Sequence, residues 1–167
     1  MTKGILKVVE GDATNPQTTN EKEVVIIPHV CNNQGGWGAG FVLALSRKFK
    51  DPEEIYKAYC HNNENLLGRV CYAKMSNFLV VANMIAQKGT GIKDGIIPLK
   101  YKALVQAMDT VAGFVDHVKK QVKNPVVIHC PKFGSDLAGG DWNFILELIR
   151  ELWLEKGIDV VVYEWVG

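Results

Sequence analysis

The chain predicts an α/β fold of three layers, α/β/α, with a central mixed, mostly parallel six-stranded sheet. Three observations predict it. Short β-branched runs alternate with longer helical patterns along the whole length. Two of the runs, Val24-Val25-Ile26-Ile27 and Val126-Val127-Ile128, are continuously apolar, as strands covered on both faces must be. Met75-Ser76-Asn77 reads as a hairpin turn between two such runs, which makes one pair of strands antiparallel.

The expected strands are Ile5–Val9, Val24–Val30, Gly68–Lys74, Phe78–Asn83, Val126–Cys130 and Asp159–Tyr163. Four helices fit between them. One runs from Gly38 to Lys48 and carries Phe41, Leu43, Ala44 and Leu45. The next opens at Asp51-Pro52-Glu53-Glu54, with Asp51 as N-cap, proline in the first turn and acids at the positive end of the dipole. A third extends from Pro98 to about Val122, with apolar residues at Leu104, Ala107, Met108, Val111 and Val115, and stops before Asn124-Pro125. The last spans about Asp141 to Lys156, with Gly157 as its C-cap.

At 167 residues the chain suits one domain, 1–167, with a full core. The net charge of +1, from 19 basic and 18 acidic residues, gives no field to gather polyanions, which argues against a dedicated nucleic-acid surface. No apolar run is long enough to cross a bilayer, and Met1-Thr2-Lys3-Gly4-Ile5 does not resemble a leader. Cys31, Cys60, Cys71 and Cys130 have no paired spacing, so reduced thiols in a cytoplasmic protein are expected, and a monomer.

Ligands of such sheets bind beyond the carboxyl ends of strands, where loops lead into helices. Two loops of that kind stand out. The first is His29-Val30-Cys31-Asn32-Asn33-Gln34-Gly35-Gly36-Trp37-Gly38-Ala39-Gly40-Phe41; its glycines let backbone N–H groups approach an anion, and the helix behind it adds its dipole. The second is Pro131-Lys132-Phe133-Gly134-Ser135-Asp136-Leu137-Ala138-Gly139-Gly140-Asp141-Trp142. Either loop alone is as readily a tight turn, but two at neighbouring helix starts can hold a diphosphate. Gly36-x-Gly38-x-Gly40 lacks the dinucleotide spacing G-x-G-x-x-G, and no Walker loop is present.

Gly11-Asp12-Ala13-Thr14 after the first strand resembles the G-D-I-T signature of macrodomains, and the two glycine loops resemble that family's ligand loops. His29-x-Cys31-Asn32, Gly36-Trp37-Gly38-x-Gly40, Asn65-Leu66-Leu67-Gly68 and Asn83-Met84-Ile85-x-Gln87 are similar to the ADP-ribose-1″-phosphate phosphatase branch, which is related to terminal ADP-ribose glycohydrolases. The resemblance implies ADP-ribose or ADP-ribose-1″-phosphate as ligand and no cofactor. Asp12, beside Ala13, would accept a hydrogen bond from the adenine amino group. Gly38, Ala39, Gly40 and Phe41 would line the diphosphate, with Gly36 and Trp37 also among the ligand-binding residues. Asn32 and Asn33 would position the distal ribose and water, and Gly134, Ser135, Leu137, Ala138, Gly139 and Gly140 would close from the other side. Relatives carry glycine where this chain has Asp136. Where the glycohydrolases have a nucleophilic lysine and an aspartate, this chain has the Asn83-to-Ile85 stretch and Ala138, which disfavours a lysine-adduct mechanism.

Several residues have two readings. His29 can assist proton transfer to a distal phosphate, or be a buried histidine that fixes the loop. Asp136 can be a general base, or a turn residue bonding its own loop amides. Trp37 can cover a ribose or pack. Trp142, Trp153 and Trp165 read as core. His29, Cys31, His129 and Cys130 all lie at strand ends, but no close pair has zinc-ligand spacing, so no metal is expected. The leading reading is a phosphatase using His29, Asn32, Asn33 and Asp136. A non-catalytic ADP-ribose reader, or a hydrolase of ADP-ribosyl adducts, remains open.

Overall fold

The computed structural model describes residues 2–165; Met1, Val166 and Gly167 lie outside the described residues. Six strands form one sheet: β1 (Leu6–Glu10), β2 (Val24–Asn32), β3 (Val70–Ser76), β4 (Leu79–Gln87), β5 (Val126–Pro131) and β6 (Asp159–Glu164), in the order β1-β6-β5-β2-β4-β3. Every pairing is parallel except β3 with β4. The expected sheet is therefore present. The hairpin turn falls at Asn77 and Phe78, because Met75 and Ser76 continue β3.

The helices are α1 (Phe41–Lys48), α2 (Asp51–Asn62), α3 (Tyr101–Gln121) and α4 (Trp142–Leu152). Both ends of α1 and α3 lie inside the expected bounds. Asp51 is already helical, and the N-cap position is Lys50, which makes no side-chain cap. Asp141 caps α4 instead, its carboxylate accepting from the Asn143 and Phe144 amides. The last helix also stops early: a 3₁₀ turn, Leu154–Lys156, follows it and ends at Gly157 with φ 79°.

Period-two alternation in the central strands divides the core. Val24 and Ile26 face α3 and α4 together with Val80, Ala82, Met84 and Ile128. Val25, Ile27 and Cys31 face the other way, against Leu45, Tyr56 and Trp37. Trp153 is fully buried and donates from Nε1 to the Met108 carbonyl. Trp165 was expected in the core; it follows β6 and is 65% exposed.

Candidate functional site

The five mutually parallel strands end at the same edge, so the segments after β2, β5 and β4 emerge side by side. Because β2 and β5 are directly paired, the two glycine loops are adjacent. They touch where Leu137 meets Gly40: a Cβ built on Gly40 would lie 3.1 Å from Leu137 Cδ1. Gly40 has φ 82° and ψ −146°, a conformation that essentially only glycine adopts, and it turns the chain into α1.

Hydrogen bonding sorts the loop amides into two kinds. Asn32 Oδ1 accepts from the Gln34 and Gly36 amides and from the Tyr56 hydroxyl, while Nδ2 donates to the Gly36 carbonyl. Asn32 was expected to face ribose and water; its side chain is instead consumed in holding the loop. The amides of Gly38, Ala39 and Gly40 have no partner among the described residues, and all three residues are exposed. Phe41 and Val42 then open a helix, whose first N–H groups have no intrahelical acceptor. In the second loop Gly139 and Gly140 donate to the Asp136 and Gly134 carbonyls, whereas the Ser135, Asp136 and Leu137 amides have no such partner. The result is a pair of donor-rich turns at helix starts, suited to a diphosphate.

His29 is 1% exposed and lies in the second core, not on the loop surface. Its Nε2–H donates to Asn83 Oδ1 at 2.5 Å, and Trp37 and Phe41 pack against its ring at 5.5 and 5.6 Å between centroids. Burial lowers its pKa to about 4, against the opposing Asn83 bond. Direct proton transfer from His29 to a bound phosphate is thus not supported: the ring has no open face and is neutral near pH 7. Trp37 is corrected with it. The indole is buried, donates to Ser46 Oγ at 2.7 Å and packs on Tyr56, so it anchors the loop from beneath.

Asp12 Oδ1 accepts from the amide and hydroxyl of Thr14, both at 2.8 Å, which folds the Gly11-to-Thr14 turn and buries Ala13 and Thr14. The Ala13 and Ala138 methyls are therefore packing groups, not cleft lining. Asp136 and Leu137 are exposed; the turn at Asp136 is made by its backbone carbonyl, and no loop amide bonds its carboxylate. Asn33 Oδ1 accepts from the Gly89 amide, and Asn33 lines a cavity of about 420 Å³ with Glu64, Asn65, Leu66 and Leu67. Ser135 Oγ donates to the Lys132 carbonyl. The zinc alternative fails on direction: His29 and Cys31 face the second core, Cys130 the first, and His129 turns toward Glu23.

The sequence reading missed a third loop, residues 88–100. Its Gly89 amide reaches Asn33, its Leu99 amide donates to the Ala138 carbonyl, and Ile97 and Ile92 pack against Gly139. Three glycines, Gly89, Gly91 and Gly95, directly after a buried strand were the available signal.

Fold and cleft together define a class: an α/β/α domain whose parallel strands present two glycine loops to an anionic ligand. No family model matches the chain. A macrodomain protein from Streptomyces coelicolor is 36% identical, covering 97% of this chain and 99% of its own, with a TM-score of 0.79. A protein of unknown function from Bacteroides thetaiotaomicron is 39% identical over 98% of this chain and 99% of its own, with a TM-score of 0.88. Among curated proteins, the ADP-ribose 1″-phosphate phosphatase of Candida albicans is 26% identical over 149 residues, 88% of this chain and 93% of the relative. The chain belongs to the macrodomain family.

Proposed function

We propose that the cleft between the two glycine loops binds ADP-ribose and that the protein hydrolyses the terminal phosphate of ADP-ribose-1″-phosphate. The observation that carries the binding is the contact of Leu137 with Gly40, which sets the unpartnered amides of Gly38 to Gly40 beside those of Ser135 to Leu137. The phosphatase name of a relative matching most of the chain supports the reaction. In this reading Asp12 takes the adenine amino group through the oxygen that Thr14 leaves open. Backbone amides neutralise the diphosphate, and Phe41 borders it. Asn33 orients the distal ribose, and Asp136 deprotonates the attacking water as the bond from phosphorus to the ribose 1″ oxygen breaks, that oxygen taking its proton from solvent. Asn32 and His29 act at one remove, by holding the first loop in shape. The same reading has one domain over all 167 residues, acting as a cytoplasmic monomer, and the four free cysteines are consistent with that compartment.

A reader without turnover is the second reading, and a specific observation favours it: with His29 buried and the Asp141 carboxylate engaged in capping α4, Asp136 is the one acid of the two glycine loops left for catalysis. Phosphate release from ADP-ribose-1″-phosphate, followed under single-turnover conditions in wild type and Asp136→Asn, separates the two. Release that depends on Asp136 supports hydrolysis. Tight binding with no release leaves the reader.

A further inference from the structure

Half of one sheet face has no helix on it. The second core contains no residue of β1, β5 or β6, so on that side these strands lie beyond α1 and α2. A cavity of about 320 Å³ occupies this place, bounded by the sheet and by residues 17–23. At its inner end stands Glu23, only 6% exposed, with Oε2 accepting from His129 Nε2–H at 2.6 Å. His129 Nδ1 in turn accepts from the Tyr163 hydroxyl at 2.8 Å, which itself accepts from the Gln17 amide. With Nε2–H given to Glu23, Nδ1 is left to accept from the Tyr163 hydroxyl, and burial lowers the His129 pKa, which favours this neutral form.

We propose that this cavity is a second binding site, for a primary ammonium group on a short apolar stem. Glu23 Oε1 has no hydrogen-bond partner among the described residues, yet no buried polar atom there is left unsatisfied; Oε1 therefore opens into the cavity that Glu23 lines. Among the described residues no lysine or arginine pairs with this carboxylate, which is nine-tenths removed from water, and a cation at Oε1 would supply the countercharge. One open oxygen suits an ammonium, whereas a guanidinium is best matched by both oxygens of a carboxylate. Thr18 and Thr19 on the wall offer hydroxyl acceptors, and Val9, Val127 and Val161 offer an apolar channel for the stem. Asp159 is a second acid on the lining, with Oδ1 accepting from the Ile5 amide. Lys7 also lines the cavity but forms no ion pair with either acid among the described residues. The shared chemistry is that of a free alkylamine and of a lysine side chain in a peptide.

The test is methyl-detected NMR titration of the whole protein, read at Val127 and Val161. The probes are n-pentylammonium, neutral n-pentanol, 1,5-diaminopentane and N-acetyl-lysine methylamide. Saturable shifts with n-pentylammonium are expected, with affinity at least about tenfold above that of n-pentanol, the size of one charge-assisted hydrogen bond. The tighter of the last two probes identifies the source as free amine or peptide lysine. Glu23→Gln is expected to weaken the ammonium by about tenfold or more. Since that change also alters the bond to His129, Val161→Phe is the second variant: it fills the cavity from β6, leaves the Glu23–His129 pair in place and should abolish the shifts. Equal response to ammonium and alcohol, no saturable shift with any amine, or binding that survives both variants overturns the proposal.

Discussion

Leu137 Cδ1 closes over Gly40, 3.1 Å from where a Cβ would sit, so that a side chain there would have to displace the leucine. Gly40 is also held at φ 82°, ψ −146°. Gly40→Val should therefore push Leu137 outward and strain the backbone by ~1–3 kcal/mol. The expected outcome is a folded protein with a lower Tm and ADP-ribose affinity reduced by at least about tenfold. Thermal denaturation and calorimetry on the same preparation check both.

Asn32 joins two loop amides, one carbonyl and the Tyr56 hydroxyl. In Asn32→Ala the two amides and the carbonyl lose their partner while the Tyr56 hydroxyl keeps the Asn32 backbone carbonyl, at a cost of ~1–3 kcal/mol. Tyr56→Phe removes one donor and should cost ~1 kcal/mol. Urea unfolding of the two variants gives the order directly; equal losses would mean that Asn32 does not organise the loop.

His29 titrates in the direction that makes the protein acid-sensitive. Its pKa is lowered from 6.5 to about 4 by burial, so between those values the unfolded chain binds more protons than the folded one. Its stabilising contribution is complete above about pH 6.5 and falls as pH drops through 4, by roughly 3 kcal/mol at most for this residue. His129, also lowered by burial, acts in the same sense. Urea midpoints at about pH 7, 5.5 and 4.5 should decline, and His29→Gln should flatten the decline. A wild-type stability unchanged across that range would contradict a neutral buried His29.

Asp136 is exposed, and its carboxylate is free of the loop amides, so Asp136→Asn should change stability by less than ~0.5 kcal/mol. Removing a negative charge beside a diphosphate should tighten ADP-ribose binding by a few-fold, about 1 kcal/mol or less at such an exposed site. Phosphate release should fall by roughly 100-fold if Asp136 is the base. Weaker binding in the variant would show that the carboxylate contacts the ribose hydroxyls instead.

Much of the scaffold was legible because its causes are local. Val24 to Ile27 and Val126 to Ile128 are apolar on both faces and became central, paired strands. The glycine loops were visible as composition between a strand and a helix. What escaped depends on long-range packing. Trp37 looks like an exposed loop residue until α1 and α2 supply Ser46 and Tyr56 to receive it. Trp165 looks like core by its apolar size, yet lies 65% exposed just after β6. Glu23 and His129 are 106 residues apart in sequence, and nothing local announces their pairing. His29 shows the limit most clearly: its place at the end of a strand was readable, but the burial that silences it was set by Asn83 and two aromatic rings.

The most direct measurement of the central claim is calorimetric titration of the wild-type protein and Gly40→Val with ADP-ribose. Saturable one-to-one binding in the wild type, lost or at least about tenfold weaker in a variant that remains folded, is the expected result. Absence of binding in the wild type, or equal affinity in the two, would contradict placement of the ligand between the loops that meet at Gly40 and Leu137.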